Sequence, residues 1–149
     1  MHGRLAIQVL VLLGAAAVLA AGTNALRSDG IAWGGRDPER YRYPDVDFLP
    51  VDQAARIHDQ VTTLFLDARP APEFARRHVA GAVSFPADSV QAKWESLRDF
   101  VDPQMTLVVY GEDIVLEVRA AKFLGERGCK AQVLDGGWRA WSEHRLPVE

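Results

Sequence analysis

The sequence predicts a three-layer α/β domain on a parallel sheet, carried behind an N-terminal transmembrane helix. Three observations predict it. From Val51 to the end, short apolar runs alternate with stretches of helical spacing, the order that places helices on both faces of a parallel sheet. The stretch Thr106–Arg119, TLVVYGEDIVLEVR, reads as buried strand, loop and helix, and folds of this kind place their chemistry at the carboxyl ends of strands. Ahead of these, Leu5–Leu26 contains no charged residue and has the length of a membrane span of ~20 residues.

Residues 1–26 are accordingly an anchor or signal segment, 27–47 a juxtamembrane linker and 48–149 the domain. Two readings of the first segment stand. An uncleaved anchor uses the whole apolar run. A cleaved signal peptide uses a shorter core and a small-x-small site, for which Val18-Leu19-Ala20 or Thr23-Asn24-Ala25 is available. A buried core helix is disfavoured because the run has no polar face. The short positive front of Arg4 and the terminal amine favours a single-pass membrane protein with the domain outside the cytoplasm, in the periplasm; Arg27, Arg36, Arg40 and Arg42 count the other way. The linker is rich in Gly, Pro, Asp, Arg and Tyr and shows no periodicity. Its Trp33, Tyr41 and Tyr43 suit either a membrane interface or packing on the domain.

The whole chain of 149 residues suffices for one domain plus an appendage. A net charge of −3 argues for no nucleic-acid partner. Cys129 is the single cysteine, so no intramolecular disulfide forms. The histidines, His2, His58, His78 and His144, form no ligand cluster, and no metal or cofactor is expected.

In chain order, Val51–Gln60 has helical spacing through Val51, Ala54, Ala55 and Ile57; Thr63–Asp67 is a short buried strand; and Pro70 opens a helix to about Arg77. Gly81–Phe85 leads through another short strand to Pro86, and Gln91–Phe100 is helical with Trp94 and Leu97 inward. After the central strand, a polar-then-apolar loop runs from Gly111, and a helix starts near Glu117 and ends at Gly125 and Gly128. Ala131–Leu134 is the last strand, and Asp135-Gly136-Gly137 turns into a helix holding Trp138 and Trp141, with Asp135 near its N-cap. Strand, tight loop and helix together aim backbone N–H groups at an anion.

At this point the chain resembles the rhodanese-like domain family. The matching pieces are Asp67-Ala68-Arg69, Glu73-Phe74, His78-Val79-Ala80-Gly81-Ala82 with Pro86, Val108-Val109-Tyr110, Ala120-Ala121 with Leu124, and Asp135-Gly136-Gly137-Trp138 with Trp141, from about Phe48 to the end. The resemblance implies an α/β/α fold with a parallel sheet of about five strands. It also implies a sulfurtransferase ancestry, in which a cysteine at the position of Gly111 carries a persulfide and loop N–H groups stabilise its thiolate. A related phosphatase group uses a cysteine and, after five residues, an arginine. Here Gly111 and Glu117 stand at those two positions.

By that comparison the loop Gly111, Glu112, Asp113, Ile114, Val115, Leu116, Glu117 is a vestigial active-site loop with no catalytic residue, lined by carboxylates that repel an anionic donor. Asp67 and Arg69 neighbour the pocket, as ligand contacts or as braces for adjoining loops. Glu73 reads as a helix-surface or Arg-pairing residue. His78 reads as a satisfied turn residue; Arg77 precedes it where the family has glycine. Glu117 suits the positive end of a helix dipole. Ile114, Val115 and Leu116 give the loop an apolar tip, offered as a contact surface or folded inward.

The expected protein is a membrane-anchored pseudoenzyme. It is a binding, scaffold or regulatory module for another membrane or periplasmic protein, with sulfurtransferase activity lost. The competing reading is a thiosulfate or persulfide sulfurtransferase acting through Cys129 or a partner's cysteine. Cys129 precedes a parallel strand, at the opposite edge of the sheet from the loop after Tyr110.

Overall fold

The structure is a computed structural model, and it describes residues 42–149. The expected membrane span over Leu5–Leu26 and the linker residues Trp33 and Tyr41 lie outside the described residues. Among those described, no helix is long and apolar enough to cross a membrane.

Five parallel strands form one sheet: β1 (Phe48–Leu49), β2 (Thr63–Asp67), β3 (Val83–Ser84), β4 (Thr106–Tyr110) and β5 (Lys130–Leu134), in the order β1-β5-β4-β2-β3. β4 lies in the middle and is apolar on both faces, as a strand covered by helices on either side must be. Its alternate residues enter two cores. Leu107 and Val109 join Leu66, Ala68, Val118, Ala121, Leu124 and Val133 on one side. Val108 and Tyr110 join Phe65, Ala54, Leu134 and Trp141 on the other.

The helices are α1 (Val51–Ile57), α2 (Ala71–Arg76), α3 (Val90–Leu97, continued by a 3₁₀ turn at Arg98–Phe100), α4 (Ile114–Gly125) and α5 (Gly137–Glu143). α3 and α4 cover the first core, and α1, α2 and α5 the second. The three-layer expectation therefore holds. Trp94 and Leu97 pack inward as their spacing predicts. Tyr43 and Val46, placed in the linker by their composition, also pack against the first core.

One local expectation is corrected. α4 begins at Ile114, not near Glu117, because Asp113 is its N-cap and its side chain accepts a hydrogen bond from the Val115 N–H at 2.9 Å. Ile114, Val115, Leu116 and Glu117 are helical, and the loop is only Gly111–Asp113. At α5 the N-cap is Gly136, in the left-handed region at φ 74°, with Asp135 next to it as expected.

Sheet register decides what meets at the end of β4. Asp67 pairs with Tyr110, and the Ala68 N–H donates to Tyr110 O at 2.8 Å. On the other flank Val109 pairs with Val133, and past β5 the Trp138 N–H donates to Gly111 O at 2.7 Å. Asp67-Ala68-Arg69, Gly111-Glu112-Asp113 and Gly136-Gly137-Trp138 are thereby brought together.

Candidate functional site

The site is built from these three segments. Asp67 is fully buried and Arg69 nearly so. Arg69 forks onto the Asp67 carboxylate, donating from Nη2 at 2.6 Å and from Nε at 3.0 and 3.2 Å, and its backbone N–H donates to the same carboxylate at 2.9 Å. Nη2 also donates to Arg77 O at 2.8 Å, and the guanidinium lies 4.2 Å from the centre of the Trp138 ring. A charged hydrogen-bonded fork of this kind is strong and directional. It ties the end of β2 to the start of the His78 turn, which is the bracing role. Tyr110 points into the second core, where its hydroxyl accepts from the Val79 N–H at 3.0 Å. Burial and the nearby Asp67 charge push the Tyr110 phenol above its usual range.

The loop after β4 offers no nucleophile from its own first position. A Cβ placed on Gly111 would stand 3.1 Å from Glu117 Oε1. The Glu117 carboxyl therefore fills the space into which a side chain at 111 would project. A Cβ on Gly137 would come within 2.4 Å of Gly111 O and 3.2 Å of Glu117 Oε1. A side chain at either glycine would crowd the carboxyl.

Glu117 is 3% exposed. Among the described residues it has no cation and no hydrogen-bond donor as partner. Burial, then the charges of Asp113 and Asp67, push its carboxyl up to about 8. At neutral pH it is mostly a neutral acid.

The three acids expected to line the pocket thus occupy different places. Asp113 caps α4. Glu112 is half-exposed, 3.7 Å from Arg69 Nη1. Glu117 alone sits at the centre. Nor do the first N–H groups of α4 form a cradle, since Val115 N–H is taken by the Asp113 side chain and Leu116 and Glu117 N–H by Asp113 O. Of the apolar tip, Ile114 and Leu116 pack against the core and Val115 is exposed.

His78 is a satisfied turn residue. Its ring stacks on Phe74, and its Nδ1 is 2.8 Å from Phe74 O. Glu73 lines the small cavity beside Arg69 and Glu117. Cys129 is half-buried just before β5, roughly 20 Å along the sheet from Gly111 at the usual rise per residue. Burial pushes its thiol up. Among the described residues no group of acids, histidines or cysteine is arranged to hold a metal ion.

Comparison with known proteins bears on this geometry. Residues 50–144 match the family described as Rhodanese-like domain. The thiosulfate sulfurtransferase YnjE of Escherichia coli (strain K12) is 29% identical where it aligns, over 48% of this chain and 20% of that protein. The match thus spans about one fifth of that relative's length. A rhodanese-related protein from Thermoplasma volcanium superposes with a TM-score of 0.60 at 18% identity, covering 69% of this chain and 97% of the other. The BH2092 protein from Bacillus halodurans superposes at 0.63 with 16% identity, covering 74% and 82%. These structural likenesses share the fold.

Proposed function

This chain belongs to the rhodanese-like domain family, and within it we propose a binding or scaffold module that does not transfer sulfur. One observation carries the reading: where β4 ends, Gly111 supplies no side chain and the buried Glu117 carboxyl stands in its place. Persulfide chemistry needs a thiolate, stabilised by donors or cations. Gly111 supplies no thiolate, and the charges of Asp113 and Asp67 near the loop would disfavour one. The one thiol, Cys129, lies at the other end of the sheet with its proton held by burial.

The uncharged run Leu5–Leu26 supports tethering to a membrane, with the domain on the extracytoplasmic side and a membrane or periplasmic protein as partner. Retention of the chain in the membrane fraction after alkaline washing is expected. A soluble product beginning near Ala21 or Leu26 would contradict the tether.

For activity, the purified full-length chain given thiosulfate and cyanide should form no thiocyanate above the uncatalysed rate. Gly111→Cys alone should add little, because the new side chain meets Glu117 and the neighbouring acids raise its thiol pKa. Gly111→Cys with Glu117→Gln should do better. Turnover by the unaltered chain that vanishes in Cys129→Ser would overturn the reading and make Cys129 the nucleophile.

A further inference from the structure

Between the Gly111–Asp113 loop and α5 runs a groove of about 880 Å³. Its lining includes Gly111, Glu112, Glu117, Trp138 and Ser142. Two polar groups in that lining lack partners among the described residues. One is the carboxyl of Glu117, a residue 3% exposed. The other is the buried Ser142 hydroxyl. An acid buried without a partner costs stability, and such groups concentrate where a ligand supplies what the fold withholds.

The surrounding charges say which ligand. The Glu117 carboxyl feels the charges of Asp113 and of Asp67 at the end of β2, and Glu112, Glu143 and Arg139 also line the groove. The cations present are committed elsewhere. Arg69 is forked on Asp67, and Arg139 donates to Glu143 at 2.8 Å. Asp67, Glu112 and Glu143 each have an arginine within ion-pair distance, whereas the Glu117 carboxyl has none and is the group an entering cation would meet unpaired.

We propose that this groove is a cation site in which Glu117 receives an alkylammonium or guanidinium group, the tip of a lysine or arginine carried by a protein partner. As the cation enters, the Glu117 proton passes to solvent and the carboxylate pairs with the newcomer, while the Ser142 hydroxyl supplies a second polar contact in the lining. The groove is larger than a simple amine and suits a side chain delivered by a polypeptide. The inference rests on the binding-module reading and names the chemistry of its partner.

Calorimetric titration of the full-length chain with n-butylammonium and with the peptide Gly-Gly-Lys-Gly-Gly tests it. Both should bind with proton release. With the Glu117 carboxyl at about 8, binding should be about tenfold tighter at pH 9 than at pH 7, following the ionised fraction. Glu117→Gln should weaken it by at least about tenfold, as expected when one member of a buried ion pair is lost. In the unaltered chain, butylammonium should shift the backbone amide signals of Gly111, Glu117 and Gly137, a readout independent of how the variant folds.

No binding at pH 9, undiminished binding in Glu117→Gln, or preferential binding of thiosulfate would overturn the cation site. Binding of butylammonium but not of the peptide would overturn the protein partner and leave a free amine as ligand. Failure here without sulfur turnover leaves the non-catalytic reading standing. Sulfur turnover sinks that reading whatever the amines do.

Discussion

Asp67, at the end of β2, and Glu117, in the first turn of α4, are 0% and 3% exposed and have been given opposite surroundings. Asp67 receives the Arg69 fork and a backbone N–H. Glu117 receives only burial and the repulsion of two carboxylates. The first arrangement satisfies a buried charge and braces two loops. The second leaves an acid neutral at the place where the fold brings three loops together. Burial alone therefore does not set the charge state of an acid; the partner does.

The largest effect should follow from making Asp67 resemble Glu117. Arg69→Met removes the counter-ion and leaves a buried carboxylate behind, at a cost of about 3–5 kcal/mol in urea denaturation. Arg69→Met combined with Asp67→Asn should recover much of that loss. A single variant as stable as the unaltered chain would break the contrast.

The room allotted to Glu117 is tested next. Gly137→Ala places a Cβ within 2.4 Å of Gly111 O, at a position with φ 53°. Both effects are unfavourable, and together they should cost about 2–3 kcal/mol. Unchanged thermal stability would mean that the 111 and 137 backbones separate easily.

The protonation contrast predicts a pH dependence. Glu117 has a folded-state value of about 8, above its ordinary 4.5. The folded chain thus binds this proton more tightly than the unfolded chain does. The resulting stability is fully present below the ordinary value and is lost as pH rises towards 8. Between those limits the slope from this residue is about 1.4 kcal/mol per pH unit. Glu117→Gln should flatten the profile in that window, measured by denaturation at pH 5, 6, 7 and 8. A variant with an unchanged slope would assign the dependence to other groups.

The smallest effect is expected at Asp113. Its cap on α4 should be worth about 1 kcal/mol, lost in Asp113→Ala. The same variant removes a charge that holds the Glu117 proton, so it should also lower the Glu117 pKa. A loss of stability without that shift would separate the two roles.

The layers were legible because strand and helix periods differ. TLFLD and TLVVY are unbroken apolar runs closed by a polar or glycine residue, and Trp94 and Leu97 share a helix face. The close turn at Gly136-Gly137 was legible from its paired glycines. The site was less so. An acid in the segment after β4 reads equally as pocket lining and as a helix cap, and Asp113 is the cap. The signal was present: an aspartate directly before an apolar helical run is an N-cap pattern. No local pattern marks Glu117. A glutamate in a first turn reads as a complement to the helix dipole. Its carboxyl sits between Gly111 and Gly137, which meet because β5 lies beside β4, a consequence of strand order that spacing along the chain does not encode.

The state of Glu117 is open to direct measurement. In the full-length chain, carbon-13 labelled at the glutamate carboxyl groups and assigned by comparison with Glu117→Gln, the Glu117 resonance should titrate near 8, well above an ordinary glutamate. A Glu117 signal titrating at or below 4.5 would mean that donors or a cation already hold the carboxylate. It would contradict the unpaired acid on which the contrast with Asp67 and the cation site are built.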